Sequence, residues 1–75
     1  MTNNDILRSI RYMLDLGDAK VAELAKLADS SLQIDKDVVQ RFLKKEDDAE
    51  YLNCSDRVLA CFLDGLVVHR RGRNE

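Results

Sequence analysis

At 75 residues the chain suits one domain and excludes two, near the lower size limit at which a hydrophobic core folds without disulfides or metal. It is 45% hydrophobic and 35% charged with no proline, which excludes a disordered segment and favours helix over sheet. Twelve basic against 14 acidic residues leave a formal net charge of −2, so there is no overall attraction for nucleic acid or anionic lipid, and such binding would need a local patch.

The start Met1-Thr2-Asn3-Asn4-Asp5 lacks the basic and apolar runs of a secretory signal, and no stretch approaches the ~18 apolar residues of a membrane span. A cytoplasmic protein is expected. Thr2 to Asp5 offer an N-cap and an acid for the first turn of a helix over about 4–16. Ile6, Leu7, Ile10, Met13 and Leu14 share one face, Arg8, Arg11, Tyr12 and Asp15 lie opposite, and Gly17 reads as the C-terminal stop. Asp18 then caps a second helix over about 19–28, whose inner positions are Val21, Leu24, Ala25, Leu27 and Ala28. With almost no linker, these two helices are expected to meet as a tight corner or hairpin.

From Asp29 to Ile34 the periodicity breaks, with Leu32 and Ile34 anchoring a polar loop. Asp35 caps a third helix over about 36–45, with Val38, Val39, Phe42 and Leu43 inward and Lys36, Asp37, Gln40, Arg41 and Lys44 outward. Glu46-Asp47-Asp48 is a charged connection, and an extra helical turn is expected near 48–52. A fourth helix spans about 56–71: Ser55 is its N-cap, Cys54 and Leu59 are spaced as a hydrophobic staple, Asp56 meets the positive end of the dipole and Arg70 and Arg71 the negative end. Leu59, Phe62, Leu63 and Leu66 form its buried stripe, with Arg57, Asp64 and Arg71 opposite and Cys61 and Val68 beside those polar residues. Gly65 in mid-helix costs about 1 kcal/mol against alanine unless another backbone passes close by. Either this helix is central and covered nearly all round, or Cys61, Gly65 and Val68 form a groove for another chain. The expected architecture is an all-α compact bundle of four main helices forming one domain over 1–72, with 73–75 a flexible end or the start of a linker.

Four pieces in order resemble a known family: Asn3-Asn4-Asp5-Ile6-Leu7-Arg8 with Arg11-Tyr12-Met13-Leu14-Asp15-Leu16, then Leu27-Ala28-Asp29, then Phe42-Leu43-Lys44-Lys45-Glu46-Asp47-Asp48, then Cys54-Ser55-Asp56 with Phe62-Leu63-Asp64-Gly65-Leu66. The chain resembles the YehS-like family, a bacterial domain of unknown function. That resemblance implies a bacterial cytosolic protein whose relatives usually hold two copies of the domain in tandem, of which this chain has one. It carries over no activity, substrate or catalytic residue, and it makes a copy-to-copy contact a physical expectation.

The residues offer two functional readings. The first is a non-catalytic interaction or regulatory module that meets a second copy or another protein through Tyr12, Cys61, Gly65 and Val68. The second is a modified helix-turn-helix in which Val21 to Ala28 position a recognition helix, Lys36, Gln40, Arg41 and Lys44 face the groove, and Arg70, Arg71 and Arg73 contact phosphates. Against it, the connection from Asp29 to Ile34 exceeds the usual turn, and Asp35 and Asp37 at the recognition end repel phosphate and base acceptors. Enzyme chemistry is not expected. Ser55 and the single histidine, His69, are separated by about 20 Å of helix, and Cys61 and His69 by about 12 Å, so neither pair is a catalytic dyad. Two cysteines and one histidine match no zinc pattern, the acidic run lacks the glycine of a calcium loop, and isolated glycines make no phosphate cradle, so neither metal nor cofactor is expected. Cys54 and Cys61 read as reduced, partly buried thiols.

Overall fold

The computed structural model describes residues 1–73, with Gly72 and Arg73 as backbone alone; residues 74 and 75 lie outside the described residues. Four helices follow in order: α1 (Asn3–Met13), α2 (Asp18–Ala28), α3 (Lys36–Phe42) and α4 (Asp56–Arg73). The all-α bundle is as expected. Three helix starts follow side-chain caps: Thr2 and Asp5 form a reciprocal capping box, Asp35 Oδ1 accepts from Val38 N at 3.0 Å, and Ser55 Oγ accepts from Val58 N at 3.2 Å, whereas Asp18 does not cap α2, whose N-cap is Gly17 with no side-chain bond.

The fourth helix runs on to Arg73, past the expected end near 71 and into the stretch expected to be flexible, and two other helix ends fall short of expectation, each for a specific reason. The first helix stops at Met13 because Asp15 takes the left-handed conformation (φ 54°) that was expected of Gly17. Leu16 N then donates to Arg11 O at 3.0 Å and Asp15 N to Tyr12 O at 3.2 Å, the paired bonds of a Schellman motif that turns Leu16 back onto the core. Gly17 is extended and precedes α2, while Asp18 is the first residue of α2 and accepts from Arg11 Nε at 2.9 Å.

The third helix stops at Phe42 because the carbonyls that would extend it are taken by other parts of the chain. Arg41 O accepts from Leu52 N at 3.2 Å, Phe42 O from Asn4 Nδ2 at 2.9 Å, and Leu43 O and Lys44 O from Arg8 Nη2 at 3.3 and 3.5 Å. The segment expected to add a helical turn at 48–52 forms turns instead, with Asp48 N bonded to Lys45 O and Tyr51 N to Asp48 O.

Helix α2 packs on both α3 and α4, whereas α4 is covered by α2 and touched by α1 on one side alone, so the expectation of a central fourth helix covered nearly all round is not met. Asn3 Nδ2 reaches Asp56 Oδ1 at 2.7 Å at one end, and Leu14, Leu66 and Arg70 line one notch at the other, so α1 runs parallel to α4. Helix α2 runs antiparallel to it, since Asp29 pairs with Arg57 while Lys20 lies at the notch with His69 and Arg70. Leu7, Val21, Leu24, Ala25, Val39, Phe42, Leu59 and Phe62 fill the space between, with Leu32, Ile34 and Cys54 closing the loop side. Gly65 is buried where α4 crosses the backbone of Leu24. Met13, Leu27, Ala28 and Leu63, all expected to face inward, are exposed. Met13 is the last residue of α1, and Leu63 points away from α2.

The Asp29–Arg57 pair, at 2.6 Å, ties the end of α2 to the start of α4. Hydrogen bonds from the Ser31 hydroxyl, Arg57 and the Ser31 backbone hold the Asp29 carboxyl down at about 2, against an ordinary 3.8. A carboxyl depressed on folding contributes stability that is complete above its unfolded value and lost as pH falls through its folded value. Asp29→Asn is therefore expected to remove acid sensitivity between about pH 4 and pH 2, seen as a shallower fall in urea midpoint than wild type over that interval.

Candidate functional site

The clearest unpartnered surface is the outer face of α4. Ala60, Leu63, Asp64, Val67, Val68 and Arg71 recur at spacings of three and four and are all exposed, with Leu63, Val67 and Val68 at 38%, 49% and 51% of full exposure. Here α1 and α2 cover one side, and among the described residues no element covers the other.

Of the surface residues expected from sequence, Val68 is exposed and Gly65 is buried. A Cβ built on Gly65 lies 2.6 Å from the Leu24 carbonyl carbon and 3.3 Å from its Cα, so that position is occupied by α2 and unavailable to a partner. Cys61 is half-buried and packs against the core. Tyr12 is 84% exposed on the last turn of α1, beside Met13. Leu63 and Val67 were missed as surface residues, although the lack of a fully polar side on α4 is visible in its sequence.

The candidate groove-reading residues are not equally free. Lys36 and Gln40 are exposed on α3, but Arg41 Nε donates to Glu50 O at 2.9 Å and Lys44 Nζ lies 3.8 Å from Glu50 Oε1, so both brace the turn before Tyr51. Seven residues, 29–35, separate α2 from α3. Arg70 and Arg71 are exposed at the far end of α4, and the side chain of Arg73 lies outside the described residues.

As for reactive groups, Cys54 and Cys61 are both free thiols. Burial, reinforced by the nearby Asp56 carboxylate, pushes the Cys54 thiol up to about 11, which suppresses the thiolate needed for nucleophilic chemistry. Ser55 is engaged in capping α4. Among the described residues no group of three His, Cys, Asp or Glu side chains converges on a metal-sized site, and no helix is long and apolar enough to cross a membrane.

Comparison with known proteins agrees with the sequence patterns. The family described as "Protein of unknown function (DUF1456)" matches residues 3–72. The uncharacterized protein YehS of Escherichia coli is 36% identical over 75 residues, covering 100% of this chain and 47% of its own length, so the chain spans about half of the curated relative it matches. No solved structure matches. A match over nearly every residue of all four helices establishes that the chain belongs to the YehS-like family of proteins of unknown function.

Proposed function

We propose that the chain is a cytosolic, non-catalytic interaction module that presents the outer face of α4 to another folded protein. The observation that carries this reading is the half-exposed row of Leu63, Val67 and Val68 on α4. Covering a row of side chains of this type is favourable by about 25 cal/mol for each Å² of apolar surface removed from water, and contiguous exposed apolar patches mark contact sites. Nothing of comparable weight favours groove reading: of its four candidate residues, Lys44 lies beyond the end of α3 and pairs with Glu50, Arg41 donates to the Glu50 carbonyl, and Asp35 and Asp37 crowd the end that would meet DNA.

A photo-cross-linking amino acid placed at Val67 in the full chain tests the reading in cells, with Gln40 as the control position. Both sites are exposed, so neither replacement disturbs the core. The expected result is discrete protein adducts from position 67 and few or none from position 40. Equal labelling at the two positions, or none at 67, overturns the reading, and nucleic-acid adducts from position 40 would put the groove-reading alternative in its place.

A further inference from the structure

We infer that the partner on this face is a second copy of the chain, with the two α4 helices packed antiparallel. This rests on the reading that the face is an interface, and it is carried by the order of charges there. Asp64 and Arg71 are seven residues apart, only about 20° apart around the helix, and both are exposed on the face that carries Ala60 and Val67. Among the described residues neither forms an ion pair within the chain.

Two antiparallel copies related by a two-fold axis between Val67 and Val68 place Asp64 of each opposite Arg71 of the other, and Val67 opposite Val68. Both opposite-charge contacts and the apolar contact form at once. A parallel pair in register sets Asp64 against Asp64 and Arg71 against Arg71, so the charge order selects the antiparallel arrangement. Because each copy uses the same patch, the contact closes at a dimer and leaves no free copy of the surface. Arg57, the other cation in this row, is held by Asp29 of its own chain and does not compete for Asp64. The strip is short, so the pairing belongs with small, reversible interfaces below about 1,200 Å² and is expected in the range of about 0.1 mM.

Sedimentation equilibrium of the full chain from about 20 μM to 1 mM tests this, with circular dichroism confirming that each variant is folded. The apparent mass is expected to rise from 8.6 kDa towards twice that value. Asp64→Arg and Arg71→Asp are each expected to weaken association about tenfold at low salt, and the double swap to return it to within about threefold of wild type. A monomer at every concentration overturns the inference, as does a dimer indifferent to both single swaps. If the chain stays monomeric while position 67 still cross-links to a different protein, only the second-copy inference falls; a monomer with no adducts removes the interaction reading as well.

Discussion

Gly65→Ala is expected to destabilise the domain severely, although an alanine in mid-helix is ordinarily favourable. Relative to glycine, alanine gains about 1 kcal/mol of helix propensity. The added methyl, however, falls 2.6 Å from the carbonyl carbon of Leu24 and closer still to its oxygen, a separation real Cβ atoms essentially never show. Leu24 is in the middle of α2, where its carbonyl is part of a continuous hydrogen-bonded helix and cannot rotate aside alone. Relief requires α2 and α4 to move apart as bodies, which opens the contacts of Val21, Leu24 and Phe62 together. Overpacking of this kind costs about 3 kcal/mol or more, so the steric loss exceeds the propensity gain by roughly 2 kcal/mol. In a domain of this size that corresponds to a fall in Tm of about 8–16 °C, measured by thermal circular dichroism. Ala60→Gly, on the exposed side of the same helix, is the matched control and should cost only about 1 kcal/mol. A rise in Tm for Gly65→Ala would show that propensity governs and that the two backbones do not touch.

Asn4→Ala is the second large loss, because one side chain ties three separate backbone groups together. Asn4 Nδ2 donates to Phe42 O at 2.9 Å and to Leu52 O at 2.8 Å, and its Oδ1 accepts from Cys54 N at 3.0 Å. Both amide hydrogens and the oxygen are used, at a residue only 2% exposed. Truncation strands two carbonyls and one N–H, and each buried unsatisfied group costs about 1–3 kcal/mol, so a loss of about 3 kcal/mol is expected in urea unfolding. Neighbouring Asn3 bonds Cys54 O and Asp56 Oδ1, so that it holds the start of α4 while Asn4 holds the end of α3.

Asn4→Asp gives the complementary test with a definite sign. Its carboxylate would keep the acceptor for Cys54 N but face two carbonyls with no proton to offer, which raises its folded pKa above the ordinary value of about 3.9. A group raised on folding is best accommodated below its unfolded pKa and loses that advantage as pH rises through the folded pKa. The Asp variant should therefore lie closest to wild type near pH 4 and fall progressively behind it towards pH 7. A pH-independent gap between the two urea midpoints would mean that the carboxylate has escaped to solvent.

The two asparagines also show where local reading stops. From sequence they were a source of capping for α1, and Thr2 with Asp5 does that work. Their long-range bonds reach residues 42, 52, 54 and 56, separations of 38 to 53 positions that no helical period reveals. The end of α3 was illegible for the same reason: Lys44 and Lys45 are good helix formers, but the Arg41 carbonyl that Lys45 would bond is taken by Leu52 N, and the next carbonyl, that of Phe42, by Asn4. Likewise, the corner between α1 and α2 was expected at Gly17 on conformational grounds, whereas the left-handed residue had to be Asp15 so that Leu16 could reach the core.

The number of helices, three of their starts and most of their inner faces were determined by the sequence alone, because caps and hydrophobic periodicity act within a few residues and repeat along a single element. Gly65 was legible as a question, since only a close backbone approach compensates for glycine in mid-helix. Tertiary structure answered it with Leu24, and in doing so withdrew Gly65 from the candidate surface and left Leu63, Val67 and Val68 outward on the uncovered side. On a helix with apolar residues on both flanks of its polar stripe, composition cannot say which of them the chain itself covers; that depends on where α1 and α2 pack, a choice made by contacts between residues far apart in sequence.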